Sequence, residues 1–208
     1  FNGTLKGTSS STQFNGIAST GLGLIKSQLN FSYFSKAPTT YAGSISLDQF
    51  AIGKLINVPL LENITGSISI AGTGFGDKNT LATGKGLIRN LTYNKYSFND
   101  IPLLAQLDEE HLLLRTSIEN DNLSTGELVA SVNWENKKLA YQFSGQVDKA
   151  DLKALRITAI PLQFRGSIEA AVTGQNLIDM AGGIHLRNIT LLHDQDLLPI
   201  DSLQVLVS

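Results

Sequence analysis

Ile64-Thr65-Gly66-Ser67-Ile68-Ser69-Ile70-Ala71-Gly72-Thr73-Gly74 is the stretch that decides the fold. Every second position is apolar or glycine: Ile64, Gly66, Ile68, Ile70, Gly72, Gly74. The positions between them are small and mostly hydroxylic. Side chains alternate across a strand, so the stretch reads as a β-strand with one oily face and one wet face. The same pattern returns 100 positions later as Phe164-Arg165-Gly166-Ser167-Ile168-Glu169-Ala170-Ala171-Val172-Thr173-Gly174. Gly66, Ser67, Ile68, Ala71, Thr73 and Gly74 recur identically. The chain repeats a one-sided strand unit, and something must cover the oily side.

Composition narrows the classes. Of 208 residues, 42% are hydrophobic and 16% charged, which is too apolar for disorder and poor in charge for a cytosolic enzyme. Net charge is -2 with no basic run, so nothing attracts nucleic acid. Cysteine is absent, which excludes a disulfide framework and thiolate metal sites. No apolar run approaches the roughly 20 residues of a spanning helix. The chain starts and stops in mid-pattern and reads as a segment of a longer protein.

Outward from the opening stretch the alternation continues. Phe1 to Gly21 reads as two strands joined at Thr8 to Ser11. Leu29, Phe31 and Tyr33 share one side, then Tyr41, Gly43, Ile45 and Leu47. Phe50 to Leu61 breaks the pattern as a short helical turn or a loop ended near Pro59. Gly72 to Asn79 reads as a turn. Leu87 to Tyr93 and Tyr96 to Leu107 form a hairpin around Asn94-Lys95. Further turns fall at Asp108 to Glu110 and at Glu119 to Asn122. Leu128, Ala130, Val132 and Trp134 make one oily face, and Leu139, Tyr141, Phe143, Gly145 and Val147 another. Ala150 to Ile157 reads as a short helix. Leu162 to Gly174, Ile184 to Leu192 and Leu203 to Val207 complete about thirteen strands.

The repeat extends beyond its central strand. Arg89-Asn90-Leu91-Thr92 matches Arg187-Asn188-Ile189-Thr190, and Ile52 and Leu55 match Leu152 and Leu155. Without long amphipathic helices between strands, parallel crossovers are disfavoured and consecutive antiparallel strands follow. Residues 1–123 read as a first unit with its preceding strands, and 124–208 as a second unit continuous with it. Three solutions hide a shared apolar face: a sandwich, a closed barrel, or a trough around something apolar.

Phe50-Ala51-Ile52-Gly53-Lys54-Leu55, then Ile64-Thr65-Gly66-Ser67-Ile68 with its Gly72-Thr73-Gly74 end, then Tyr96-Ser97-Phe98-Asn99-Asp100-Ile101 and Asp121-Asn122-Leu123, resembles the repeat of the TamB family of AsmA-like translocation and assembly module proteins. The resemblance is clearest over Tyr41 to Leu123; the second copy has Lys153 where Gly53 stands. It implies a β-taco, a long curved antiparallel sheet with a continuous apolar groove. It also implies a periplasmic location with the full-length protein anchored in the inner membrane. The implied function is to conduct phospholipids between inner and outer membranes and to support outer-membrane protein assembly beside a BamA-like, TamA-type barrel. Neither a cofactor nor catalysis is implied.

The lining expected for phospholipid acyl chains is Ile45, Leu47, Ile68, Ile70, Leu103 and Leu107 in the first half. In the second half it is Leu112, Leu114, Leu128, Val132, Phe143, Phe164, Ile168, Val172, Ile184, Leu186, Leu203 and Val205. Other constellations carry less. Gly72-Thr73-Gly74-Phe75-Gly76 opens no helix, as a phosphate loop requires. His193, Asp194 and Asp196 read as a solvated turn before a metal site. No nucleophile elbow accompanies the serines. The rival reading is an extracellular β-sandwich adhesin or carbohydrate-binding module; a transmembrane barrel lacks its aromatic girdles here.

Overall fold

The computed structural model describes residues 1–74, 80–134, 139–174 and 181–207. Within them the chain is all-β and antiparallel, the expected fold class. It divides into two compact units, 1–109 and 110–208. The division falls in the turn after Asp108.

The first unit contains β1 (Asn2–Gly7), β2 (Ser11–Thr20), β3 (Gly23–Ser32), β4 (Thr40–Phe50), α1 (Ile52–Ile56), β5 (Leu61–Thr73), β6 (Leu81–Tyr93) and β7 (Tyr96–Asp108). The second contains β8 (His111–Thr116), β9 (Leu123–Asn133), β10 (Leu139–Asp151), β11 (Gln163–Gly174), β12 (Ala181–His193) and β13 (Asp196–Val207). In each unit every strand pairs antiparallel with its neighbour in sequence. The described strands of a unit form one open sheet, with neither a second layer nor a closed ring.

The local chemistry of the elements is ordinary. Asn94 and Lys95 take φ of 48° and 63°, the twist-matched pair that a two-residue hairpin needs. β5 runs on through Thr73, further than the turn expected from Gly72; the rest of that turn, 75–79, lies outside the described residues. The break after Phe50 is α1, whose Ala51 N–H donates to the Leu22 carbonyl at 2.6 Å. The helix expected over Ala150 to Ile157 is instead a series of turns, held by the Ala154 N–H donating to Asp151 Oδ1 at 2.9 Å. Gly53 explains the difference. A methyl there would overlap the Leu61 carbonyl, so α1 packs as it does only without a side chain, and Lys153 has one.

Each sheet is creased. The register of β4 on β5 shifts between Leu47 and Phe50, and that of β5 on β6 between Thr65 and Gly66. Arg89 and Asp100 drop out of the β6–β7 ladder at the same level. In the second unit, shifts occur between Val147 and Ala150 and between Arg165 and Ser167, and Asn188 and Asp201 drop out of the β12–β13 ladder. Gln49, Asp100 and Asn188 turn left-handed there, with φ of 46°, 54° and 51°. An extra residue bends its strand and raises its twist. Aligned over successive strands, these bends make a fold line that crosses the strands. The line is pinned by hydrogen bonds: the Gln49 N–H donates to Thr65 Oγ1 at 2.9 Å, and the Ser167 hydroxyl donates to Gln146 Oε1 at 2.7 Å. The most buried apolar side chains gather along it, among them Phe50 and Ile101 in one unit and Val147, Ala150 and Ile189 in the other.

β5 and β11 carry the repeated Gly66 and Gly166 at this level. A methyl on Gly66 would stand 2.7 Å from the Leu87 carbonyl oxygen, and one on Gly166 would stand 3.1 Å from that of Arg187. Gly43, Gly72, Gly84 and Gly86 point to the same face as Gly66 in the first unit, and each would also drive a methyl into a neighbouring strand or its side chains. Gly183, on the opposite face of its unit from Gly182, has nothing closer than 3.6 Å. Crowding on one face only is the mark of a sheet bent toward that face. Gly43→Ala and Gly66→Ala should therefore each cost about 1–3 kcal/mol through overpacking. Gly183→Ala should gain up to about 1 kcal/mol by restricting the unfolded chain. Urea midpoints decide it: equal effects at Gly43 and Gly183 would contradict the bend.

Candidate functional site

Directly paired residues of an antiparallel ladder share a face. In the first unit Ile45 pairs with Ile68, Ile68 with Gly86, and Gly86 with Leu103. One row nearer the crease, Leu47 pairs with Gly66, Gly66 with Ile88, and Ile88 with Ile101. On the other side, Ile70 lies between Gly43 and Gly84, and Leu107 pairs with Ala82. All six residues expected from the sequence thus lie on one face, the face toward which the sheet bends.

The second unit repeats the arrangement. Leu112, Val132, Tyr141 and Val172 form one row, and Leu114, Ala130, Phe143, Ala170, Ile184 and Val205 the next. Leu128, Gly145, Ile168, Leu186 and Leu203 form a third. Phe164 pairs with Ala150 and Leu191 across the crease. All twelve expected residues of this unit share its apolar face. Large side chains alternate with Gly or Ala along several rows, so the floor is filled between neighbours.

Alanine gives a like-for-like measure of shielding. Ala82 and Ala105 on the apolar face are half-buried, whereas Ala42 and Ala71 on the polar face are exposed. The shielding comes from neighbours in a concave surface, because no described large side chain of the protein is fully buried. The exposed total is 13354 Å². A compact chain of this mass would expose about 9,400 Å², and two separate compact halves about 11,400 Å². At the outer strand β13, Leu203 and Val205 are about half exposed.

Beyond the crease, the expected lining took Phe164 from the short arm of the second unit and nothing from the short arm of the first. There Phe50, Ile64, Leu91 and Phe98 pair in one ladder. Its signal was present as apolar residues, but the extra residues at Gln49, Arg89 and Asp100 reset the alternation. Tyr41, expected on the oily side, was left out of the expected lining. It lies across the notch at Gly72, where a methyl would come within 2.5 Å of its Cζ and Oη, and its ring stands 6.3 Å from Phe31.

The polar faces carry mostly small hydroxyls, amides and charged groups, interrupted by Leu87, Leu104, Leu113 and Val129. Open depressions of about 780, 480 and 430 Å³ lie there. The largest sits over Ala42 and Ala71, between Thr40, Thr73, Thr83 and Gln106, where short side chains leave a dip. Ion pairs on this side are exposed: Arg115 with Glu127 at 2.9 Å and Arg187 with Glu169 at 3.3 Å. Each is worth about 1 kcal/mol or less. His193 ends β12 just before a turn, its Nδ1 2.7 Å from the Pro161 carbonyl. Among the described residues no group of His, Asp or Glu converges as a metal site, and no helix is long and apolar enough to cross a membrane. Compared with known proteins, the chain matches no family model, no curated protein and no solved structure.

Burial pushes the Tyr41 phenol above its ordinary value. A folded pKa above the unfolded one leaves stability intact below the unfolded value, about 10, and removes it as pH rises toward the folded value. The difference in stability between the wild type and Tyr41→Phe should be constant below pH of about 9 and shift against the wild type above about 10. Denaturant titrations at stepped pH measure it, and a flat difference would mean that the phenol is solvated.

Proposed function

We propose that the chain is a segment of a lipid conduit whose apolar face carries acyl chains, as part of a periplasm-spanning bridge between inner and outer membranes. One observation carries the reading: in each unit a full face of aligned Ile, Leu, Val and Phe bends inward with no second layer to cover it. A sandwich module would bury those residues against another sheet. The resemblance to TamB-type repeats supplies the wider context of this proposal: phospholipid as cargo, a TamA-type barrel as partner, and an inner-membrane anchor outside this segment.

The energetics suit passive transfer. Each buried CH₂ contributes about 0.8 kcal/mol, so a sixteen-carbon tail bare in water costs on the order of 12 kcal/mol. A continuous aliphatic wall removes most of that cost while the headgroup stays in water. No group need be made or broken, and this reading assigns no catalytic residue.

Ile68 and Ile168 occupy matching positions on the two floors. Ile68→Asp or Ile168→Asp places a charge where the tail lies, at a partly exposed position that the sheet tolerates. Native mass spectrometry of the purified wild type should retain phospholipid. Either variant should lose most of it while keeping the wild-type β-sheet circular dichroism. Wild-type protein that carries no lipid, with no lipid captured by a photocrosslinker at Ile68, would defeat the proposal.

A further inference from the structure

The strands run from one side of each groove to the other, so strand ends form its two rims. The protein has five tyrosines and one tryptophan. Tyr41 is the second residue of β4, Tyr93 the last of β6, and Tyr96 the first of β7. Tyr141 is the third residue of β10, while Tyr33 directly follows β3 and Trp134 directly follows β9. Trp134 is tied to the turn before β8, its backbone N–H donating to the Glu110 carbonyl at 3.0 Å. All six therefore lie at a rim. The register puts Tyr41, Tyr93, Tyr96 and Tyr141 on the apolar face itself: Tyr41 opposite Gly72, Tyr93 between Leu61 and Tyr96, and Tyr141 between Val132 and Val172. The rows between hold Ile, Leu, Val, Phe, Ala and Gly, with Ser27 and Thr116 toward their ends and no Tyr or Trp among the described residues.

We infer that these rims are a recognition layer for the boundary between tail and headgroup of an amphiphile. Tyrosine and tryptophan pair an apolar ring with one hydrogen-bonding atom, and they favour surfaces where one end is dry and the other wet. A phospholipid has that boundary at its ester groups. Its tails would lie on the aliphatic floor, with the ester oxygens level with the Tyr33, Tyr93 and Tyr141 phenols and the Trp134 indole, while the buried Tyr41 closes the floor beneath them. Pure hydrocarbon offers nothing to those donors, so the rims select amphiphiles and fix them tail-inward. This rests on the conduit reading and adds an orientation to it.

Trp134 is a native reporter for the test. The chain is loaded in parallel with two phosphatidylcholines, one bearing a nitroxide on the choline head and one bearing it near the methyl end of a tail. Head-labelled lipid should quench Trp134 several-fold more strongly than tail-labelled lipid. The double variant Trp134→Phe, Phe143→Trp moves the reporter to the floor, between Ala130 and Ala170, and should reverse the order. If both lipids quench the floor reporter but Trp134 responds equally to them, or more to the tail label, the rim inference is overturned and the conduit stands. If neither lipid quenches either reporter, the conduit reading falls, and the rim inference with it.

Discussion

An apolar sheet face must leave water, and among the described residues no second layer takes it out. That constraint shapes the rest of the structure. Most one-sided sheets meet it by packing on a second sheet or a helix. Here each unit folds its single sheet toward its own oily side, so side chains shield one another across a concave surface. The result is intermediate burial nearly everywhere on that face. Among the described residues full burial is approached along the crease, at Phe50, Ile101, Val147, Ala150 and Ile189, and away from it at Tyr41 and Leu155.

Bending a sheet this way needs room on the inner face and slack in the strands. Glycines supply the room: methyls at Gly43, Gly66, Gly72, Gly84 and Gly86 would all intrude on neighbours on the concave side. Extra residues supply the slack at one level in β4, β6, β7, β10, β12 and β13. β5 and β11 meet the same demand with Gly66 and Gly166, which is why the Gly-Ser-Ile motif recurs. The other repeated motif, Arg-Asn-Leu/Ile-Thr, is the crease segment of β6 and β12. Both repeats thus encode a fold line more than a binding site.

Period-two alternation made the strands, their order and the apolar face legible in the sequence, because a strand has only two faces and a single slip would invert both. All eighteen expected lining residues fall on that face for this reason. The hairpin at Asn94-Lys95 was legible from its turn residues. The crease was not. Gln49, Asp100 and Asn188 are ordinary polar residues in strands, and only the backbone reveals that they stand outside the ladder. Since each one restarts the alternation, Phe164 alone of the short arms entered the expected lining. The helix expected after Ala150 failed on one residue, because Lys153 cannot enter the gap that Gly53 leaves open. The rim tyrosines were visible as letters but were read as forming no belt, since their distance from a strand end depends on boundaries that alternation leaves loose.

On the proposed reading, the shape of the floor bears on movement as much as on binding. A closed pocket that buried a whole tail would hold it by the full transfer energy and release it slowly. In an open row such as Gly43-Ile70-Gly84-Ala105, or Ala130-Phe143-Ala170-Ile184, a tail meets a similar mixture of small and large side chains at each strand. Sliding by one strand exchanges one set of methylene contacts for a comparable set, so the gain on entering is large while the step between positions is small. Strands spaced about 4.8 Å apart set the length of that step. A repeated and slightly irregular apolar floor therefore suits conduction better than storage, and the repeat seen in the sequence is the property that keeps the steps alike.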